Sequence, residues 1–227
     1  MYTQHQIAKY KDIHKNQVCY IFGSGPSVNK FKMREPGVII GCNHIIKLKW
    51  IRNQVKYYFF GDGYLKYGTW NRNNPPYFNH QHDVNTLGNH VDKFCMVSRN
   101  QKLIHGFTPA LIKKLTQINA LSCDLTVNGF FKDISTEPFM NHSIVFPAVQ
   151  FALYAGFTKI YLVGCDCDGV YHTNGFNTQN TTSEINKVLL ETWKKLKIWK
   201  NTEYPHSKIV SLNPVGLIGI MDEDINS

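Results

Sequence analysis

The chain has 227 residues, of which 43% are hydrophobic and 18% are charged, and its formal net charge is +9 at neutral pH. Such a length can bury a sizeable core, and this composition excludes an intrinsically disordered protein. The positive charge favours anionic partners, including nucleotides, acidic sugars and anionic membrane surfaces. Because the basic residues are scattered and form no basic arm, nucleic acid is not expected to be the main partner.

The first strong pattern is Val18–Phe22 followed by Gly23-Ser24-Gly25-Pro26-Ser27. The apolar run predicts a buried parallel strand, and the two glycines allow the backbone to turn sharply and approach a ligand closely. Pro26 suits the first position of a helix, whose free N–H groups would face an anion. The pattern is typical both of a strand–loop–helix cradle for a phosphate or sugar nucleotide and of an ordinary strand–helix turn, and it leaves both open.

Two further buried strands follow, and each ends in a polar residue. Val38 to Asn43 ends in Cys42-Asn43, where the Asn43 amide is either a ligand contact or a helix N-cap. The run from Lys56 ends at Asp62 between two glycines, which makes Asp62 either a ligand contact or a turn former.

The middle of the chain is less regular. Residues 64–92 are rich in Asn, His, Pro, Tyr and Gly and predict an extended surface excursion, and its three histidines are interpreted as surface residues. Lys93 to Ser98 predicts a strand, Thr108-Pro109 opens a helix, and Asp124 to Val127 predicts another short strand.

The second half gives the clearest alternation of helix and strand. A helix is expected from Ser143 to Gly156 and a strand from Lys159 to Gly164, which runs into Cys165-Asp166. A polar loop over 167–180 follows and is a candidate lid. Thr181 and Glu184 form a capping box for a helix, and Lys208 to Leu212 predicts the last strand. That helix is expected to bury one apolar stripe, consisting of Ile185, Val188, Leu189, Leu196 and Trp199.

These elements predict an α/β fold: a single doubly wound, Rossmann-like domain over residues 1–227, with a mainly parallel sheet and a lid loop. The ends at Gly25, Asn43 and Asp166 should share one edge of the sheet, because parallel strands place their carboxyl ends together. A ligand site with a lid is expected there.

The six cysteines, several of them in apolar runs, predict reduced thiols in a cytoplasmic protein. Cys165-x-Cys167 lacks the companion pair that a zinc site needs, so no metal is expected.

Three motifs, Y-I-F-G-S-G-P-S, I-I-G-C-N and A-G-F-T-K-I-Y-L-V-G-C-D, resemble those of the bacterial sialyltransferases of glycosyltransferase family 42 and of the related domain-of-unknown-function family 115. The resemblance covers roughly residues 17–45 and 141–172. It implies a cytidine-nucleotide donor, transfer without a metal cofactor, and a histidine base on a lid.

The resemblance also implies roles for individual residues. Gly23, Ser24, Gly25 and Ser27 would face the donor phosphate and sugar. Pro26, in the same turn, is a candidate donor-site residue from the cradle pattern. The further donor contacts implied or considered are Asn43, Asp62, Ser143 and Asp166. The chain departs from the family at Ser24, where an asparagine is frequent, and at Cys167-Asp168, where an aromatic residue is usual.

His172 is the candidate general base and Tyr171 its candidate helper. Glycosyl transfer needs a group that takes the proton of the acceptor hydroxyl, and a histidine on a loop above a phosphate site suits that role. Tyr171 would assist the phosphate or stack on the nucleotide base. The plain alternative for both is a surface residue that falls in a polar loop by chance.

The favoured function is therefore a glycosyltransferase that uses a nucleotide-activated sugar of the CMP-nonulosonic acid type to modify a surface glycan or glycolipid. It would need no cofactor, act in the cytoplasm, contact an anionic membrane surface peripherally and form a homo-oligomer. The alternative is a magnesium- and nucleotide-dependent pyrophosphokinase or phosphotransferase, with Asp62, Asp166 and Asp168 as metal ligands. A non-catalytic nucleotide-binding protein is the third hypothesis.

Overall fold

The computed structural model describes residues 4–60, 86–98, 119–124, 129–140, 143–172, 178–180 and 183–224. Its main element is a nine-stranded sheet, and every neighbouring pair of strands in that sheet is parallel. The strands of the sheet are β1 (Val18–Phe22), β2 (Val38–Cys42), β3 (Val55–Phe60), β4 (Asp92–Ser98), β5 (Asn119–Asp124), β6 (Phe139–Met140), β7 (Lys159–Val163), β10 (Lys208–Leu212) and β11 (Asp222–Asp224). A separate antiparallel hairpin consists of β8 (Val170–His172) and β9 (Thr178–Asn180).

The strand order is β11-β10-β7-β1-β2-β3-β4-β5-β6. From β1, the chain adds β2 to β6 on one side and then returns to add β7, β10 and β11 on the other. The order therefore reverses between β1 and β7. In open α/β sheets, ligands bind at such a switch point, outside the carboxyl ends of the two strands.

Helices cover both faces of the sheet. Among the described residues, the α-helices are α1 (Lys49–Arg52), α2 (Val145–Tyr154) and α3 (Ser183–Glu203), and 3-10 helices span Gln4–Tyr10, Pro26–Lys30 and Asn43–Lys47. Every residue of α2 is buried, which agrees with its lack of a polar face.

The side chains of β1 show how the two layers form. Cys19 and Ile21 pack in a core with α2 and α3, whereas Tyr20 and Phe22 pack in a second core with the short helices on the opposite face. Alternate residues of a strand point to opposite faces, so an uninterrupted apolar strand is what two covered faces require. The predicted doubly wound α/β fold with a parallel sheet is confirmed.

Several details differ from the sequence prediction. The strand expected at Asp124 to Val127 shares only Asp124 with β5, and residues 125–127 lie outside the described residues. β11 follows the strand that was predicted to be the last. Ile185 and Val188 are 49% and 46% exposed rather than buried. They are exposed because the first two turns of α3 border a cleft, described below, and do not pack on the sheet. The buried residues of the helix begin at Thr192.

Other predictions concern residues that the structure does not describe. The helix expected from Thr108 and most of the excursion over residues 64–92 lie outside the described residues, and the extent of a single domain over 1–227 stays a prediction. None of the helices among the described residues combines the length and the apolar character needed to cross a membrane.

Candidate functional site

The turns that follow β1 and β7 interlock at the switch point. The Gly23 amide donates to the carbonyl of Val163 at 2.8 Å, and the Gly25 amide donates to the carbonyl of Gly164 at 2.7 Å. A Cβ at Gly25 would lie 2.6 Å from Cγ of Asp166 and 2.8 Å from the Gly164 oxygen. Gly164 itself has a φ of +64°, a backbone conformation that is unfavourable for residues with a Cβ atom. Glycine is needed here because the two turns pack directly against each other.

A buried carboxylate links the same turns. The Ser27 amide donates to Oδ2 of Asp166 at 2.7 Å, and the Ser27 hydroxyl donates to Oδ1. Asp166 is 4% exposed and Ser27 is 5% exposed. A buried polar group that loses its hydrogen-bond partner costs free energy, so this pair fixes the position of both turns.

The expected anion cradle at a helix N-terminus is wrong in its details. Pro26 does stand at the first helical position, but Pro26–Lys30 is a 3-10 helix of 5 residues. The Ser27 amide donates to Asp166, and the Val28 amide donates to the carbonyl of Gly25. These N–H groups bind the protein itself, so they are not free for a phosphate.

A cleft of about 220 Å³ opens beside the interlocked turns. It is bounded by the beginning of α2, by Gly169 and the first hairpin residue Val170, and by one face of α3. Its lining consists of Gly23, Ser24, Gly25, Ser143, Val145, Gly164, Cys165, Asp166, Cys167, Gly169, Val170, Asn186, Leu189 and Trp193.

The donors that the cleft offers are neutral. The amide and hydroxyl of Ser24, and the hydroxyl of Ser143, have no hydrogen-bond partner among the described residues. No lysine, arginine or histidine belongs to the described lining. An anion in this cleft would therefore be bound by amide and hydroxyl groups, which is a common way to bind phosphate.

Two cysteines in the lining are protonated thiols. Burial raises the pKa of Cys165 well above its usual value and raises that of Cys167 to about 11. Because the thiolate is the reactive form, neither group is a ready nucleophile at neutral pH.

Sequence reasoning missed the contribution of α3 to the cleft. Asn186, Leu189 and Trp193 lie at positions i, i+3 and i+7 and so share one face of the helix. The signal in the sequence was Asn186, a polar residue in line with the apolar Leu189 and Trp193. A helix face that packed only against the sheet would bury an asparagine amide without a polar partner.

The structure brings together five of the predicted site residues and separates others. Those that line the cleft are Gly23, Ser24, Gly25, Ser143 and Asp166. Pro26 and Ser27 lie next to it in the chain but outside its lining, and Asp62 is outside the described residues. Whether any of these residues contacts a ligand stays a prediction.

Asn43 stands apart from the cleft lining, and its predicted alternative role as N-cap is wrong. It is the first residue of the 3-10 helix Asn43–Lys47, where Cys42 holds the cap position without a side-chain hydrogen bond. Its φ is +49°, in the left-handed region that asparagine adopts more readily than most residues. The hydroxyl of Tyr58 donates to its carbonyl at 2.7 Å.

The candidate lid contains the β8–β9 hairpin. Tyr171 pairs with Gln179 and His172 pairs with Thr178 in the antiparallel register. β8 packs beside the 3-10 helix Pro26–Lys30, and Val170, the first residue of β8, lines the cleft. The backbone therefore brings the segment that carries both candidate catalytic residues to the edge of the cleft.

The carboxylates proposed as magnesium ligands do not form a cluster in the described part of the chain. There, no group of three or more His, Cys, Asp and Glu residues could hold a metal ion. Asp166 binds Ser27 through both oxygens, and Oδ1 of the exposed Asp168 accepts a hydrogen bond from the Val170 amide at 3.0 Å.

The α/β fold of the chain is shared with solved sialyltransferases. The chain has a TM-score of 0.53 and 14% identity with the sialyltransferase CstII from Campylobacter jejuni in complex with the substrate analogue cytidine-5'-monophosphate, over 92% of this chain and 85% of that chain. With a variant of the sialyltransferase Cst-II in complex with CMP, it has a TM-score of 0.51 and 15% identity, over 91% of this chain and 86% of that chain.

Similarity to known proteins is detectable in structure rather than in sequence. No family model matches the chain, and no curated protein matches it. At 14% and 15% identity, the similarity establishes a shared fold. Substrate and reaction must be argued from the site itself.

Proposed function

We propose that this protein is a glycosyltransferase that uses a CMP-activated sugar of the nonulosonic acid type as its donor and a surface glycan or glycolipid as its acceptor. The observation that carries the proposal is the cleft at the β1–β7 switch point, lined by the Gly23–Gly25 turn and by Ser143. Two features support it: the sequence motifs lie at this edge, and solved sialyltransferases that bind CMP share the fold.

In this proposal, the donor phosphate accepts hydrogen bonds from the amide and hydroxyl of Ser24 and from the hydroxyl of Ser143, which have no other partner among the described residues. The bond between the anomeric carbon and the phosphate oxygen breaks, and CMP leaves with the electron pair. The acceptor oxygen forms the new bond to the anomeric carbon while His172 takes its proton. Neutral donors aimed at the phosphate stabilise the charge that develops on it.

The test begins with binding. Thermal shift of the purified chain is measured with CMP, UDP, GDP and ATP, each with and without Mg²⁺, and release of CMP from a CMP-nonulosonic acid is then assayed. Stabilisation by CMP without Mg²⁺, together with CMP release in the presence of an acceptor, is expected. Stabilisation by ATP that requires Mg²⁺ would instead support the phosphotransferase alternative. CMP binding without turnover on any acceptor would support a non-catalytic nucleotide-binding protein.

Two variants refine the test. Ser24→Ala and Ser143→Ala should each weaken CMP binding about tenfold or more, because a hydrogen bond to a charged group is lost. Thr202→Ala removes an exposed hydroxyl near the other end of α3 and serves as the matched control. Unchanged affinity in both serine variants would place the phosphate elsewhere.

A further inference from the structure

On the face of the sheet opposite α2 and α3, two aromatic rings bring together the segments 30–33 and 49–52, which also carry an exposed methionine and several cations. The rings of Phe31 and Trp50 stack at a centroid distance of 5.8 Å and an interplanar angle of 9°. Trp50 is 44% exposed and Met33 is 45% exposed. We call this surface the basic–aromatic patch, consisting of Lys30, Phe31, Lys32, Met33, Lys49, Trp50 and Arg52.

The patch is fixed to the core. Phe31 and Trp50 both contact Phe22, with ring centroids 4.9 Å and 6.0 Å away at steep angles. Tyr20 also packs edge-on against Phe31 at 5.5 Å. Since Phe22 is the last residue of β1 and directly precedes Gly23, the rings are held close to the carboxyl edge of the sheet.

The segment that carries these rings is rich in positively charged residues. Residues 30–52 contain 6 lysines and arginines and a single acidic residue, Glu35. Glu35 pairs with Lys159 and Arg34 pairs with Asp224, so both are already neutralised. Lys32, Lys49 and Arg52 make no ion pair with a described acidic residue.

We propose that the basic–aromatic patch binds the surface of an anionic membrane. Tryptophan and methionine enter the interface between headgroups and acyl chains, where an amphipathic ring is most stable, and the lysines bind the lipid phosphates. Exposing a tryptophan and a methionine beside unpaired cations is the pattern of a peripheral membrane-binding surface.

Single-stranded nucleic acid fits these observations less well. Base stacking requires open ring faces along a groove, one for each base. Here Phe31 and Trp50 cover one face of each other, and Phe31 is only partly exposed. The basic–aromatic patch therefore has a single small apolar area surrounded by cations, which is suited to a lipid interface.

Bound in this way, the protein would hold the carboxyl edge of β1 towards the lipid. The proposal is independent of whether the chain transfers a sugar, because it concerns a different surface from the cleft.

The test is flotation of the full chain with vesicles of phosphatidylcholine alone and of phosphatidylcholine containing about 30% phosphatidylglycerol. Binding is expected with the anionic vesicles and should weaken as salt is added, because salt screens surface charges. Lys32→Glu with Lys49→Glu should reduce partitioning roughly thirtyfold, since each basic residue near an anionic surface contributes about a fivefold gain. The melting temperature of the double variant shows whether it is folded.

The matched control is Lys187→Glu with Lys208→Glu, which makes the same change in net charge at exposed lysines outside the patch. It should keep most of the binding. Brominated lipids should also quench part of the tryptophan emission, and Trp50→Phe should lose that part. Equal binding of the two double variants would overturn the proposal. So would binding of a single-stranded oligonucleotide by the patch without any vesicle binding.

Discussion

Ser27 and Asp166 are 139 residues apart in the sequence and meet in a buried two-point hydrogen bond, in which the Ser27 amide and hydroxyl each bind one carboxylate oxygen. The pair joins the turn after β1 to the turn after β7. Because these turns form one wall of the cleft, the shape of the candidate site depends on a hydrogen-bonded pair within the protein itself.

We expect Asp166→Ala to lower the free energy of unfolding by about 1.5–3 kcal/mol, because it leaves the buried Ser27 amide without a partner. Urea denaturation monitored by circular dichroism measures this. Asp168→Ala is the matched control, because Asp168 is exposed, and should change stability by about 0.5 kcal/mol or less. An equal effect of the two variants would contradict a special role for the pair.

Gly25 gives a second prediction. Its Cβ position points at Asp166 and Gly164 rather than into open space. Gly25→Ala should therefore destabilise the fold by about 1–3 kcal/mol through overpacking, before any effect on a ligand. Gly129→Ala is the control, since nothing lies within 4 Å of its Cβ position. A Gly25→Ala protein of normal stability that fails to bind CMP would show that the glycine leaves room for a ligand instead.

Asn43 can be tested for conformation and ligand contact separately. With a φ of +49°, Asn43→Ala should lose about 1 kcal/mol of stability, because a left-handed conformation is unfavourable for alanine. Asn43→Gly should retain stability, because glycine adopts this conformation freely. If Asn43 also contacts the donor, both variants should bind CMP about tenfold more weakly. Normal CMP affinity in both would assign Asn43 a conformational role alone.

The fold could be predicted from the sequence largely because of β1, β2, β3 and β7. Each consists mainly of a continuous apolar run, which a parallel strand buried on both faces requires, although Lys56 interrupts β3 and Lys159 begins β7. The position of β5 could not be predicted, because Leu121, Ser122 and Cys123 show neither alternation nor a continuous apolar run. The edge strand β11, with the sequence Asp-Glu-Asp, has no hydrophobic signal at all.

The candidate site was predicted only in part, for a physical reason. Glycines at Gly23 and Gly25 indicate that the backbone approaches something closely, but the sequence does not tell whether that is a ligand or another turn. The partner proved to be the Gly164–Asp166 turn, which is distant in sequence. Likewise, Asn186 and Trp193 line the cleft because the tertiary packing brings one face of α3 beside the Gly164–Asp166 turn.

A surface network at the opposite end of β7 predicts a pH dependence. Nζ of Lys159 and the hydroxyl of Tyr161 lie 2.6 Å and 3.0 Å from Oε1 of Glu35. Their hydrogen bonds, that of Lys159 first, hold the pKa of Glu35 below its usual value of 4.5. The ionised form is favoured by folding, so the contribution to stability is present above about pH 4.5 and is lost as the pH falls through the folded-state pKa.

Glu35→Gln should therefore be less stable than the unmodified protein at about pH 7, and the difference should shrink towards about pH 3. Urea midpoints at a series of pH values measure it. Glu191→Gln removes an exposed ion pair with Lys194 and is the control, with an expected effect of about 0.5 kcal/mol or less. A difference for Glu35→Gln that does not change with pH would rule out this linkage.

His172 gives the prediction on which the proposed chemistry depends most. It lies in β8, two residues after Val170 of the cleft lining. If its imidazole takes the acceptor proton, His172→Ala should lower turnover by roughly two to four orders of magnitude. The affinity for CMP should change little, because a general base acts mainly in the transition state.

The pH–rate profile separates this role from a structural one. In the unmodified enzyme, activity should fall on the acidic side as the base becomes protonated, and His172→Ala should lose that limb. His206→Ala is the matched control, because His206 is exposed and lies outside the cleft lining, and its profile should be unchanged. Tyr171→Phe should retain the acidic limb even where it lowers the rate. Full activity of His172→Ala, with CMP binding intact, would remove His172 as the base while leaving the donor site in place.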